Sequence, residues 1–164
     1  MNCLGMFNIE RIPCYALYGL RSILFFKVSF WFLLMVSSIL VVDDDEDVLK
    51  LHRLILEGEG YVIGTASTGK LALEEARKSK YNIAILDMFL PDIRGNEVAC
   101  ELRKMDDSIG IIFITGYDMS LQIVESLNFD FYIFLKPISP EELLNAVENV
   151  LSILNGKNLI WAHN

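Results

Sequence analysis

The chain has 164 residues, of which 53% are hydrophobic, and a formal net charge of −8 at pH 7. Its sequence pI is near 4.7, which argues against general nucleic-acid binding because that needs basic surface to neutralise phosphates. The length suits one domain plus an additional segment. Residues 1–34 differ from the rest, since Arg11, Arg21 and Lys27 outweigh Glu10 there and the acidic excess follows later.

The first segment, residues 1–36, is an apolar and aromatic leader. Its uninterrupted apolar run is shorter than the roughly 20 residues that a membrane-spanning helix needs. Three interpretations stay open: a true start at Met35 with a dispensable leader, a membrane anchor through residues 20–38, or an ordered extra helix.

Apolar runs and helical spacing alternate along residues 37–154. The runs predict five strands, at Ile39–Val42, Tyr61–Ala66, Ile83–Asp87, Ile111–Thr115 and Tyr132–Lys136. The spacing predicts helices over about 45–58, 68–78, 96–105, 119–127 and 139–154. Strands that alternate with helices indicate a parallel sheet with right-handed crossovers.

Two finer features of the helices are also predicted. The last helix begins with a capping box, in which Ser139 is the cap, Pro140 the first helical residue and Glu142 the reciprocal acid. His52 falls on the first helix, where we expect it to face solvent.

Four of the strands end in polar groups, and the carboxyl ends of parallel strands converge on one crevice. These groups are Asp43, Asp44 and Asp45, then Asp87, Thr115 and Lys136. Carboxylates held close together repel unless a proton or a cation neutralises them, and Mg²⁺ prefers such oxygen ligands. A carboxylate is also a nucleophile toward phosphorus. The pattern therefore predicts a site for a divalent cation and a phosphoryl group.

Residues 37–154 resemble the response-regulator receiver domain of two-component signalling. The resemblance is carried by Ile-Leu-Val-Val-Asp-Asp-Asp, Ile-Leu-Asp-Met-Phe-Leu-Pro-Asp-Ile-Arg-Gly, Phe-Ile-Thr-Gly and Leu-Lys-Pro. It implies a flavodoxin-like α/β fold: a doubly wound, five-stranded parallel sheet in the order 2-1-3-4-5 with helices on both faces. The leader 1–36 and a short tail, 155–164, would lie outside this domain.

The resemblance also implies a role for each motif residue. Asp87 would be the phosphoacceptor, Thr115 and Lys136 would contact the phosphoryl group, and the bond before Pro137 would be cis. The implied Mg²⁺ ligands are Asp43, Asp44, Asp87 and the backbone carbonyl of Phe89.

Partners follow from the same resemblance. A histidine kinase or histidine phosphotransfer protein would donate the phosphoryl group to a stand-alone receiver. A downstream target protein would read the face of the fourth helix, fifth strand and fifth helix. The receiver would contact no nucleic acid directly and would catalyse only its own phosphorylation and dephosphorylation. Its location would be cytoplasmic, with a membrane tether only if residues 20–38 are an anchor.

The chain departs from the family pattern beside the fourth motif. Ile133 stands where the family usually has Tyr or Phe, so either Tyr132 serves through a local shift of register or the aromatic is missing. Phe89 and Tyr117 lie two residues after Asp87 and Thr115. In this family these positions flank the phosphoryl group, so bulky groups there would hinder water. The bulky side chains at these two positions therefore predict slow loss of phosphate from Asp87.

Three rival functions share part of this pattern. A haloacid-dehalogenase-like phosphatase needs a second acid as proton donor, at the place that Phe89 occupies. A flavin-binding relative needs a Ser-, Thr- and Gly-rich phosphate loop, where this chain has Asp43–Asp45. A pseudo-receiver that is never phosphorylated and acts only as an interaction module stays open as the alternative.

Overall fold

The computed structural model describes residues 37–116, 127–154 and 156. The predicted leader, the body of the helix predicted at 119–127, Tyr117 and the tail other than Gly156 lie outside the described residues.

Within these ranges, the first four strands alternate with three helices as predicted, and the fifth strand is followed by the last helix. The strands are β1 (Ser38–Val42), β2 (Val62–Ala66), β3 (Ile83–Leu86), β4 (Gly110–Thr115) and β5 (Tyr132–Leu135). The helices are α1 (Glu46–Gly58), α2 (Gly69–Lys78), α3 (Gly95–Met105) and α4 (Pro140–Leu154). All strand pairs are parallel, and the order β2-β1-β3-β4-β5 confirms the predicted fold class. No helix in the described ranges is long and apolar enough to cross a bilayer.

The core consists of two apolar layers, one on each face of the sheet. Side chains of successive strand residues point to opposite faces, so Ala84 and Leu86 of β3 pack with α2 and α3. Ile83 and Ile85 pack on the other face with α1 and α4. Every residue of β3 and β4 is buried, which explains why their sequences are continuous apolar runs.

Helix starts are fixed by local side-chain caps. Asp45 caps α1 by accepting hydrogen bonds from the backbone N–H groups of Asp47 and Val48, and Thr68 caps α2 in the same way. The predicted capping box of α4 is confirmed, because Ser139 and Glu142 each accept a hydrogen bond from the other's backbone N–H. Helix α3 differs: its N-cap is Arg94, and no side chain caps it.

Candidate functional site

The candidate site lies at the carboxyl edge of the sheet, where the hydrogen-bonded ladder continues one residue past the strands. Val42 pairs with Leu86, so the next residues, Asp43 and Asp87, are neighbours. The Asp87 N–H donates to the carbonyl of Val42 at 2.9 Å, and the Lys136 N–H donates to that of Thr115 at 2.8 Å. The backbones of Asp87 and Lys136 are therefore each held by an adjacent strand.

Lys136 joins the two carboxylates. Its Nζ lies 2.6 Å from Asp43 Oδ2 and 2.5 Å from Asp87 Oδ2. Asp43 and Asp87 are only 3% and 8% exposed, so both negative charges lie where water screens them little. Charge-assisted hydrogen bonds of this length are among the strong ones in proteins. One ammonium thus bridges two buried carboxylates, and the set keeps an excess negative charge.

The pKa values of Asp43 and Lys136 reflect burial and this excess of negative charge. Burial raises the pKa of Asp43 above its ordinary value, against the opposing effect of the hydrogen bond from Lys136. Burial by itself lowers the pKa of Lys136, but its hydrogen bonds to Asp43 and Asp87 outweigh that effect and raise it. Lys136 therefore stays charged, while a further cation nearby would stabilise the ionised carboxylate of Asp43.

A third carboxylate completes an acidic cluster with Asp43 and Asp87. Asp44 is exposed, and each of the three residues offers a carboxylate oxygen within 4.8 Å of the others. Hard oxygen donors in such a group fit Mg²⁺, which binds through one or two carboxylates and keeps several waters. The next acid, Asp45, has a different role: it caps α1, and its N–H donates to Asp43 Oδ1 at 3.0 Å.

The remaining predicted site residues lie at the same edge. Thr115 is fully buried at the end of β4. The backbone N–H of Phe89 donates to Asp87 Oδ1 at 3.0 Å, whereas the role expected for its carbonyl stays a prediction. The bond between Lys136 and Pro137 is cis, as expected.

The register of β5 decides between the two interpretations of its aromatic residue. Ile133 pairs with Phe113 and Leu135 with Thr115, without interruption. Tyr132 therefore points to the opposite face, where it packs with the layer of α1 and α4. The interpretation in which a local shift of register lets Tyr132 take the place of Ile133 is therefore wrong. The aromatic on the Phe113 face is Phe131, whose ring centroid lies 5.6 Å from that of Phe113 at an edge-on angle of 65°.

The expectation that His52 faces solvent is also wrong. His52 is 5% exposed and lies on the buried stripe of α1 with Leu49 and Leu56. Its Nδ1 is buried without a hydrogen-bond partner among the residues described. Burial lowers its pKa, although the negative charge of Asp43 opposes this. The sequence signal for this burial is the spacing of His52 from Leu49 and Leu56, which lie three and four residues away on the same helix.

The fold and this cluster define a receiver-type domain, and comparison with known proteins gives its family. Residues 39–148 match the family model described as the response regulator receiver domain. The chain belongs to that family.

Relatives agree with this assignment. The chain is 37% identical over 119 residues to the alkaline phosphatase synthesis transcriptional regulatory protein PhoP of Bacillus subtilis, covering 71% of this chain and 49% of that protein. It is 34% identical over 126 residues to the response regulator ArlR of Staphylococcus saprophyticus, covering 76% and 56%. The chain thus spans about half the length of these curated relatives.

Solved structures show the same fold. A CheY-like receiver domain protein of Methanospirillum hungatei superposes with a TM-score of 0.69 at 34% identity, covering 75% of this chain and 99% of that one. The DrrB receiver domain, described as BeF3-activated, has a TM-score of 0.64 at 28% identity and covers 72% and 99%.

We predict that the substitution His52→Leu stabilises the fold and flattens its acid dependence. The folded state lowers the histidine pKa from its ordinary 6.5, so protonation favours unfolding. The stability that the neutral imidazole contributes is therefore fully present above pH 6.5, and it is lost as the pH falls from there through the lower pKa of the folded state. Leucine also removes the unpaired nitrogen, a gain of about 1 kcal/mol.

Urea unfolding between about pH 7.5 and 5.5 measures both effects. The wild type should lose more stability than His52→Leu over this range. Parallel pH profiles would contradict the burial of an unpaired imidazole.

Proposed function

We propose that this protein is a Mg²⁺-dependent phosphoacceptor receiver, with Asp87 as the residue that takes the phosphoryl group. The observation that carries the proposal is the Lys136 ammonium, which contacts the carboxylates of both Asp43 and Asp87 inside an acidic cluster. Asp44 adds a third acid close enough to share a cation with the two buried ones.

In the proposed reaction an oxygen of Asp87 attacks phosphorus, the phosphorus–nitrogen bond of a phosphohistidine breaks, and the donor histidine leaves. Lys136 is placed to pair with the arriving phosphoryl oxygens, since its ammonium already contacts Asp87. Thr115, at the end of the adjacent strand, is the proposed hydroxyl contact. Mg²⁺ held by Asp43, Asp44, Asp87 and the Phe89 carbonyl would neutralise charge on the acids and the phosphoryl group.

The partners proposed for this reaction are a histidine kinase or histidine phosphotransfer protein as donor and a target protein as receiver of the signal. The proposed reaction would take place in the cytoplasm, where such donors would act. The chain would modify only itself, without turnover of a separate substrate. Phosphorylation would shift the population of two conformations and so change a protein-contact face that includes β5 and α4.

The direct test treats the wild type with a small-molecule phosphodonor and Mg²⁺ and records intact mass. We expect the wild type to gain one phosphoryl group, and the variant Asp87→Asn to gain none because an amide is not a competent nucleophile. Removal of Mg²⁺ by a chelator should abolish the gain.

The matched control is Asp47→Asn, which makes the same change from carboxylate to amide at a side chain that is 94% exposed and outside the cluster; it should behave as wild type. An unmodified wild type would favour the pseudo-receiver alternative. An equal gain in wild type and Asp87→Asn would place the phosphoryl group elsewhere.

A second prediction concerns the lifetime of the phosphorylated state. Phe89 follows Asp87 by two residues, and its backbone is hydrogen-bonded to the Asp87 carboxylate. A bulky ring there hinders the water that hydrolyses the acyl phosphate. Phe89→Asn should therefore hasten loss of phosphate, by roughly 3- to 10-fold if the ring accounts for about 1 kcal/mol of the barrier.

Phosphate loss is followed by intact mass after removal of the phosphodonor. Met105→Asn is the matched control, because Met105 is also 42% exposed but lies at the far end of α3. An unchanged half-life in Phe89→Asn would refute the role of the ring.

A further inference from the structure

The loop that joins β3 to α3, residues 87–94, begins with Asp87. The carboxylate of Asp87 is bonded at both oxygens. Lys136 Nζ lies 2.5 Å from Oδ2, and the backbone N–H of Phe89 donates to Oδ1 at 3.0 Å. The orientation of this carboxylate is therefore set by the lysine on one side and by the loop backbone on the other.

The loop is tied to α2 by the side chain of Asp92. Its Oδ1 accepts a hydrogen bond from the Gly69 N–H at 2.8 Å, and its Oδ2 accepts one from the Lys70 N–H at 3.0 Å. Gly69 permits the close approach, because a Cβ there would lie 3.0 Å from the Cβ of Ile93 and 2.8 Å from Cγ2 of Val98. The bonded residues are 23 and 22 positions apart, so Asp92 joins two separate segments of the fold.

Helix α2 thus completes its N-terminal cap from outside. The first N–H groups of a helix have no partner within it, and one local side chain can bond two of them, as Asp45 does in α1. In α2 the local cap, Thr68, accepts from Leu71, and the two preceding N–H groups are bonded by Asp92. Desolvation raises the pKa of Asp92, but these backbone hydrogen bonds outweigh it and lower the pKa below its ordinary value. The acid that completes this cap also fixes the loop after β3.

One peptide group connects the loop to the Asp87 carboxylate. It lies between Met88 and Phe89: its N–H is the donor to Asp87 Oδ1, and its carbonyl accepts from the Gly95 N–H at 3.0 Å. The loop therefore closes on itself at this peptide, and Asp92 attaches the closed loop to α2. Because Asp87 is held by the sheet and the loop by α2, the bond to Oδ1 depends on both attachments.

We infer that Asp92 is a positioning residue for the acidic cluster of Asp43, Asp44 and Asp87. By tying the loop to the start of α2, it holds the Asp87 carboxylate in the orientation in which the cluster binds a divalent cation. The inference rests on the proposed function, in which this cluster binds Mg²⁺. Asp92 acts through the loop backbone and is not itself a ligand, since both of its oxygens are bonded to N–H groups of α2.

The test measures Mg²⁺ binding to the unphosphorylated full chain. A cation that binds the folded chain stabilises it against urea in proportion to its affinity, so a Mg²⁺ titration of urea unfolding gives the dissociation constant without phosphoryl transfer. Asp92→Ala should raise that constant about 3- to 10-fold, less than the roughly 10- to 100-fold typical of a group bonded directly to a ligand. Hydrogen exchange at the Phe89 N–H should become faster.

Three variants separate positioning from capping and from charge. Thr68→Ala removes the other cap of α2, so it should lower stability but leave Mg²⁺ affinity and Phe89 exchange as in wild type. Asp106→Ala removes an acid that is bonded to Ser108 in its own loop and should bind Mg²⁺ as wild type does. Asp92→Asn keeps one acceptor oxygen, so its affinity should lie between those of wild type and Asp92→Ala. It also decides the question if the alanine variant does not fold.

Four outcomes would overturn the inference. They are wild-type affinity in both Asp92 variants, an equal loss in Thr68→Ala, an equal loss in Asp106→Ala, and a loss in Asp92→Ala with unchanged exchange at Phe89. In each case a mass gain on Asp87 with the phosphodonor leaves the proposed function intact. A wild type that gains neither stability from Mg²⁺ nor a phosphoryl group would overturn both.

Discussion

The site depends on one ammonium held between two buried carboxylates. Breaking such a buried pair costs about 3–5 kcal/mol, whereas an exposed pair such as Lys50 with Glu46 contributes little because water screens it. Lys136 is therefore needed to keep Asp43 and Asp87 together in the folded chain. With Asp44 close by, it leaves the cluster negative. That residual charge favours a cation at this edge of the sheet, and under the proposed function the cation would in turn offset the charge of the phosphoryl group.

Rigidity of the surroundings turns this charge arrangement into a defined geometry. Asp87 and Lys136 donate their backbone N–H groups to neighbouring strands, so neither can move without breaking the ladder. The loop after β3 is equally constrained, because Gly95 packs against the Asp87 carbonyl and Asp92 caps the start of α2. Arg103 of α3 holds the chain entering β5, with its guanidinium 5.0 Å from the Phe129 ring centroid. The described residues around Asp87 and Lys136 are therefore held in place by the sheet and by the adjoining helices.

Much of this could be predicted from sequence, because it depends on local pattern. Continuous apolar runs gave the strands within a residue or so, and the Ser139 capping box placed the start of α4. What could not be predicted depends on side chains from separate elements. The contact of Arg103 in α3 with the Phe129 ring before β5 is such a case. The burial of His52 does not follow from its residue type, since a polar side chain usually faces solvent, but from its position on the apolar stripe of α1.

The central claim is that Asp87, and no other group, accepts the phosphoryl group. Borohydride reduces an aspartyl phosphate to an alcohol and so leaves a stable mark on the residue that carried it. Peptide mass mapping after phosphodonor, Mg²⁺ and borohydride should find that mark at Asp87 alone, and only when Mg²⁺ was present. A mark at Asp43 or Asp44, or one that forms equally without Mg²⁺, would contradict the account.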